Sequence, residues 1–419
     1  MKIISDLHIH SRFSRATSKA LNIENLEKYA KIKGINLLGT GDFTHPEWIK
    51  ELKSELTDDG SGILKTKQGF PFILQTEVSL IYTQDGKGRR VHNVVLAPSI
   101  DIVNQITEYL LKHGRVDYDG RPIFKIPCDE FVYELRKISC DVEVIPAHIW
   151  TPWFSLFGSN SGFNTVEECF KDQTKYIHAL ETGLSSDPQM NWRLSQLDKY
   201  SLVSFSDLHS FWPWRIGREA TIFDCKLNYK NIINALRTKE GLSGTIEVDP
   251  SYGKYHFDGH RNCNVCMNPK DTIKVKNICP KCGKSLTIGV LNRVEELADR
   301  EEGYKPKDGK EFHSLIPLSE IICSLIGSPV ASKKTWKIFN DLMDKFGNEF
   351  NVLLDVKKEE LVKVVDEKLA DTIIKNKEGS ITIQPGFDGE YGKPLFSDKD
   401  KADIKTETPK VVQKGLNEF

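Results

Sequence analysis

The chain has 419 residues, 39% of them hydrophobic and 28% charged, with a formal net charge of −1. That length is too great for one small core and predicts more than one domain, while globular composition without an apolar run of bilayer length excludes a helical membrane protein. A near-zero net charge excludes binding of nucleic acid through the field of the whole molecule, so such a partner would need a local basic patch.

From Met1 to about Thr245, short apolar runs alternate with amphipathic stretches, the pattern of repeated β/α units around a parallel sheet or barrel. Seven runs are read as strands: "IISDLHI" from Ile3, "INLLGT" from Ile35, "FILQTEV" from Phe72, "VHNVVLA" from Val91, "VEVIPAHI" from Val142, "IHALET" from Ile177 and "LVSFSDL" from Leu202. Between them, "IENLEKYAKIKG" reads as a helix stopped by Gly34, "PEWIKELKSEL" places Pro46 at a first helical position, and "DPQMNWRLSQLDKY" has Asp187 as a cap. Asp6, His8 and His10 interrupt the first run, so no secretory leader is read there and a cytoplasmic protein is expected.

The β/α rhythm stops near Pro250, where Asn, Lys, Gly and Cys take over, and a compact insert runs to about Glu295. "LADREEGYKP" is a polar connector. "KKTWKIFNDLMDKFGNEFNVLLDV" and "KEELVKVVDEKLADTIIKNKEG" then show helical apolar spacing. These shifts divide the chain into a barrel over 1–248, an insert over 249–296, a mainly helical part over 297–395 and a charged tail over 396–419. The tail has no periodic apolar face and is expected to be disordered or an arm.

Ligand-type residues gather where the expected strands end: Asp6, His8 and His10; Asp42 and His45; Glu77; His92; His148; Asp207 and His209. Six of the eleven histidines fall in this set. The tetrapeptide Ser-Asp-Leu-His occurs twice, at Ser5 and Ser206, and side chains at alternate strand positions share a face. Imidazole mixed with carboxylate suits zinc, manganese or iron better than magnesium. An ordered set of this kind predicts a metal centre at the mouth of a barrel.

"CNVC" at Cys263 and Cys266, then "CPKC" at Cys279 and Cys282 after a twelve-residue gap, has the spacing of a closed, structural four-thiolate zinc site. The other five cysteines are scattered, which fits a reducing compartment without structural disulfides. Around the four, Ser251 to Glu295 carries eight Lys and Arg against three acids, enough for phosphate contacts. Trp150, Trp153, Trp212 and Trp214 directly follow two ligand motifs, with Arg215 and Arg218 beside the second pair. They are expected to rim the centre and offer stacking faces and cations to a nucleic acid.

"DLHIHS", "GTGDFTH", "TEVS", "PAHIW" and "SDLH" resemble the ordered motifs of the polymerase-and-histidinol-phosphatase (PHP) family over roughly the first 245 residues. The resemblance implies a distorted (βα)7 barrel that hydrolyses phosphoesters with two or three divalent ions (Zn, Mn, Fe or Mg). The implied ligands are His8, His10, Asp42 or His45, Glu77, His92, His148, Asp207 and His209. Of these, Asp207, His8, His10, Glu77, His148 and His209 would carry the chemistry, with Glu181 in support. Many members place a His or Asp after the first motif; this chain has Arg15 and Ala16. A PHP barrel followed by a four-cysteine module and a helical end with "IQPGFDGEYGKPLF" resembles the endonuclease Q family over nearly the whole chain. That implies a DNA repair enzyme cutting 5′ of uracil, hypoxanthine, xanthine and abasic sites. A small-molecule phosphatase and a non-catalytic DNA-binding scaffold are the alternative readings.

Overall fold

The computed structural model describes residues 2–396, so the charged tail expected over 396–419 lies, Phe396 apart, outside the described residues. All seven apolar runs contain strands: Lys2–Asp6, Leu37–Gly39, Pro71–Gln84, Lys87–Ala97, Glu143–Pro146, Ala179–Glu181 and Ser201–Val203. The first three pair in parallel, as β/α order requires. The third and fourth form an antiparallel hairpin running from Leu74↔Ala97 to Gln84↔Lys87. Its turn is Asp85-Gly86, both at positive φ, the backbone of a tight two-residue hairpin loop. The fourth and fifth are also antiparallel.

Single bonds close the ring where ladders do not. Ile149 N–H donates to Glu181 O and His10 N–H to Leu208 O, while the sixth and seventh strands pair in parallel. The architecture is therefore an α/β barrel distorted by antiparallel pairs and by breaks in its hydrogen-bonded wall. On the outer side of the first strand, Ala220–Asp224 and Leu242–Glu247 extend the sheet antiparallel, and Glu311–Ser314 joins it in parallel.

The helices follow local chemistry. Ile23–Lys33 is capped by the Asn22 side chain and ends at Gly34 with φ 99, a conformation glycine adopts freely. Pro46–Glu55 starts on its proline. Pro188–Trp192, capped by Asp187, is shorter than its sequence suggests, because Leu194 breaks the helical conformation. Leu318–Ile326, Lys333–Phe346, Lys358–Leu361 and Glu367–Lys377 make the C-terminal part mainly helical. No helix among the described residues is long and apolar enough to cross a membrane.

The cysteine module is a hairpin of Asp258–His260 and Val265–Met267 followed by the helix Pro269–Lys274. The Asp388 carboxylate accepts from Arg261 N–H at 2.6 Å and from Thr287 Oγ1 at 2.7 Å, which seats the "GFDGE" stretch on this module. Arg293, buried, donates to Phe157 O and Phe163 O, tying the helix Val290–Leu297 to the loop that follows His148. None of the nine cysteines forms a disulfide.

Candidate metal centre

The two Ser-Asp-Leu-His copies lie side by side, bridged at Ile9↔Leu208. Their members divide the work. Asp6 never reaches the centre: its carboxylate accepts from Ser206 N–H, Ser206 Oγ and Gly217 N–H, and burial lifts its pKa to about 6. It staples the first copy to the second. The strand ends at Asp6, and His8 and His10 project from the segment beyond it, both fully buried. From the second copy it is Asp207 that enters the centre, on a backbone turned to φ 47.

Glu77 is the hub. Its Oε2 lies 3.1 Å from His10 Nε2 and 3.5 Å from His8 Nε2, while its Oε1 lies 2.7 Å from His92 Nδ1 and 3.3 Å from His148 Nε2. Asp207 Oδ1 approaches the same His10 and His8 nitrogens at 3.1 and 3.6 Å. Two donor groups result, His8/His10/Glu77/Asp207 and Glu77/His92/His148, each with ligand atoms within 4.8 Å of one another. A carboxylate shared by two such groups can bridge two cations.

Three of the four imidazoles, those of His8, His10 and His148, are oriented from behind. His8 Nδ1–H donates to both oxygens of Glu181 at 2.9 and 3.0 Å, His10 Nδ1–H to Asp42 Oδ1 at 3.0 Å, and His148 Nδ1 meets Thr151 Oγ1 at 3.2 Å. A carboxylate behind the ring fixes the tautomer and turns the Nε2 lone pair forward, as in metal-binding histidines generally. His8 Nε2 is buried without a hydrogen-bond partner, and a cation would satisfy it. The electrostatics agree. Burial pushes the pKa values of His8 and His10 down, yet Glu181 and Glu77 around the first and Asp42, Asp207 and Glu77 around the second carry both well above the ordinary value. Negative charge that favours a proton there equally favours a divalent ion. Burial holds His92 at about 4, a neutral ring with a lone pair to give. The residues present fit divalent metal ions.

Backbone strain clusters on the same residues. Asp42, His148 and Asp207 have φ of 41, 31 and 47, in a left-handed region where a non-glycine residue costs about 1–3 kcal/mol. Close packing holds them: a Cβ on Gly183 would lie 2.6 Å from His148 Cβ, and the buried Trp48 Nε1–H donates to Thr40 O and Gly41 O just before Asp42.

Several sequence expectations change. Asp42 belongs to neither donor group; it accepts from Ser11 N–H, Ser11 Oγ and Ser14 Oγ as well as from His10, so its oxygens are already used. His45 also lies outside both groups, stacked on Phe13 at 4.4 Å. His209 stands at the mouth, one third exposed, its Nδ1 2.9 Å from Asp207 O and its ring 4.8 Å from that of His10. Trp150 is 1% exposed and donates to Asn191 Oδ1, which makes it core and not a stacking face. Trp212 and Trp214 stack on each other at 5.4 Å and against Trp336, so much of their surface is already covered. Arg218 donates to Ser206 O and so holds the turn before Asp207. Arg215 lies in a small cleft with Trp214, Tyr252 and Glu320. Trp153 is the exposed one, 40% accessible, with its edge toward Tyr255 of the region leading into the cysteine module.

In that module the metal-type cluster is His260, Cys263, Cys279 and Cys282, with Cys282 Sγ 3.4 Å from His260 Nδ1. Cys266, expected as the fourth thiolate, is exposed and outside the cluster. The hairpin explains this. Cys266 pairs with Gly259, one residue out of register with His260, and alternate strand residues face opposite sides. Sequence reasoning also missed Arg121, whose Nη1 donates to Glu77 Oε2 at 3.1 Å; "GRVDYDGRP" offers no ligand pattern that would have flagged it.

Comparison with known proteins sets this site in context. A family model described as the MJ0043 C-terminal domain matches residues 317–380. Protein MJ0043 of Methanocaldococcus jannaschii is 32% identical over 304 residues, and the match spans only 36% of that relative's length. Protein YqxK of Bacillus subtilis is 30% identical over 413 residues, covering 94% of this chain and 99% of the relative. Among solved structures, the lesion-specific endonuclease PfuEndoQ from Pyrococcus furiosus superposes with a TM-score of 0.86 at 31% identity, over 97% of this chain and 98% of that one. An endonuclease Q in complex with a 27-mer duplex carrying an abasic lesion at the active site gives 0.85 at 31% identity, over 97% and 99%. Likeness at that level through nearly the full length of both partners, well past the barrel, places this chain in the endonuclease Q family.

Proposed function

We propose that the protein is a metal-dependent, lesion-specific DNA endonuclease that hydrolyses the phosphodiester on the 5′ side of a damaged nucleotide. The damage would be an abasic site or a deaminated base such as uracil, hypoxanthine or xanthine. The observation that carries the reading is the likeness, over 97% of the chain, to an endonuclease Q with an abasic duplex at its active site.

His8, His10, Glu77 and Asp207 would hold one divalent ion, and Glu77, His92 and His148 a second. Such ions supply Lewis acidity toward a phosphoryl oxygen and bring a bound water near neutrality in pKa. Glu181, Asp42 and Thr151 keep the rings aimed forward. Asp207, partly exposed at the mouth, can orient the attacking water and receive its proton. Water oxygen bonds to phosphorus, the bond to the 3′-oxygen breaks, and the departing oxygen takes up a proton from solvent, leaving a 3′-hydroxyl on one side and a 5′-phosphate on the damaged nucleotide. A structural zinc would hold the cysteine module, whose basic surface suits the DNA backbone. An extruded lesion costs less to unpair than an intact base, which favours damaged sites.

The test is a panel of p-nitrophenyl phosphate, undamaged duplex, and duplexes carrying an abasic site, deoxyuridine or deoxyinosine, each with Mn²⁺, Mg²⁺ or Zn²⁺. Nicking confined to the lesion duplexes, with a 5′-phosphate on the lesion side, is expected. Intact lesion DNA beside rapid release of p-nitrophenol would move the reading to a small-molecule phosphatase.

A further inference from the structure

The segment from Gly114 to Pro122 holds none of the expected ligands, yet it folds onto the centre. At Gly120 a Cβ would lie 2.2 Å from Asp42 Oδ2 and 2.4 Å from Ser14 Oγ, so only glycine permits this approach. Asp119, buried, accepts from the backbone N–H groups of Arg15 and Arg121 at 3.2 Å each. Gly120 N–H donates to Phe13 O, and Pro122 O accepts from Ser79 N–H in the same strand as Glu77. The backbone is thus pinned on both sides of Arg121.

Arg121 then reaches the hub. Its Nη1 donates to Glu77 Oε2 at 3.1 Å, and its side chain remains 26% exposed. That oxygen also faces His8 and His10, and a carboxylate oxygen has two lone pairs, so guanidinium and metal ion can share it. Among the described residues this is its one hydrogen bond from five donors, leaving a planar, permanently charged fork open toward solvent. Arg15 Nε lies 3.4 Å from Asp119 Oδ2. The centre offers two donor groups and a fixed cation beside them.

We infer that Arg121 is a further catalytic residue, whose free guanidinium N–H groups bind a non-bridging oxygen of the scissile phosphate and stabilise the charge that builds there as the bond to the 3′-oxygen breaks. It gives up no proton: water supplies the new oxygen, the 3′-oxygen leaves, and the guanidinium stays charged throughout. The inference rests on the endonuclease reading.

The test uses Arg121→Met and Arg121→Lys in the full chain, with single-turnover nicking of an abasic duplex and metal content per chain. Duplex affinity is measured in an Asp207→Asn background, so that cleavage does not interfere. Removal of one preorganised donor to a developing oxyanion costs about 10²–10³ in rate, and that loss is expected for Arg121→Met, with metal content unchanged and affinity within about threefold. Arg121→Lys, which keeps the charge without the planar fork, should fall between, and it carries the test if the methionine variant does not fold. Nicking at the wild-type rate overturns the proposal alone. Loss of metal in step with rate also overturns it, since Arg121 would then only support Glu77. A wild-type chain inert on every lesion duplex with every metal overturns the endonuclease reading and this proposal together.

Discussion

The ammonium of Lys33 lies 2.7 Å from Oε1 of Glu349, both groups buried, and donates at 2.9 Å to the carbonyl of Pro213. Glu349 Oε1 also accepts from Leu318 N–H at the start of a C-terminal helix. One ion pair therefore joins a barrel helix, the C-terminal helices and the Trp212–Trp214 segment just past Asp207 and His209. Packing of Trp336 against Trp212 and Trp214 runs alongside it.

Removing one partner of a buried pair strands the other charge. Glu349→Ala should destabilise the protein by about 3–5 kcal/mol, whereas Lys33→Met with Glu349→Leu should recover most of the loss, because two apolar groups leave no stranded charge. Urea unfolding of the three proteins checks both outcomes. Equal stability of the single and double variants would contradict it.

Asp207→Asn should lower the nicking rate by about 10²–10⁴-fold, the range for loss of a general base, and leave duplex affinity largely intact because the basic surface is untouched. Single-turnover kinetics and fluorescence anisotropy on an abasic duplex measure the two separately.

Cys279→Ser and His260→Ala should each release the one zinc expected per chain, while Cys266→Ser should keep it, since Cys266 lies outside the cluster. Metal analysis of the purified variants decides between three thiolates with an imidazole and four thiolates. Zinc lost from Cys266→Ser and kept by His260→Ala would restore the latter set.

Glu247 is fully buried, and burial lifts its pKa from 4.5 to about 8 while Thr245, Ser204 and Thr182 hydroxyls donate to it. The fold accepts the neutral acid. Its contribution to stability is complete below pH 4.5 and is lost as pH rises through 8. Thermal midpoints of the wild type should therefore fall between pH 5 and 9 more steeply than those of Glu247→Gln, with the two proteins nearest at the acid end. Parallel curves would count against a neutral Glu247.

Chain order and spacing alone marked the seven strands, the helix stop at Gly34, the helix start at Pro46, the cap at Asp187, and the histidine and acid clusters from which Glu77, His8, His10, His92, His148 and Asp207 come together. These features are local: period, turn chemistry and residue type are written over a few neighbouring positions. Tertiary structure decided the rest. It turned Asp42 behind His10, buried Trp150, set His260 and not Cys266 beside Cys263, Cys279 and Cys282, made Asp6 a staple between the two Ser-Asp-Leu-His copies, and brought Arg121 to the centre. Each of those outcomes depends on which side chains converge across tens to hundreds of residues, and on which face a strand or loop presents once packed. Periodicity places a residue on a face of its own element. Only the pairing of elements says what that face will meet.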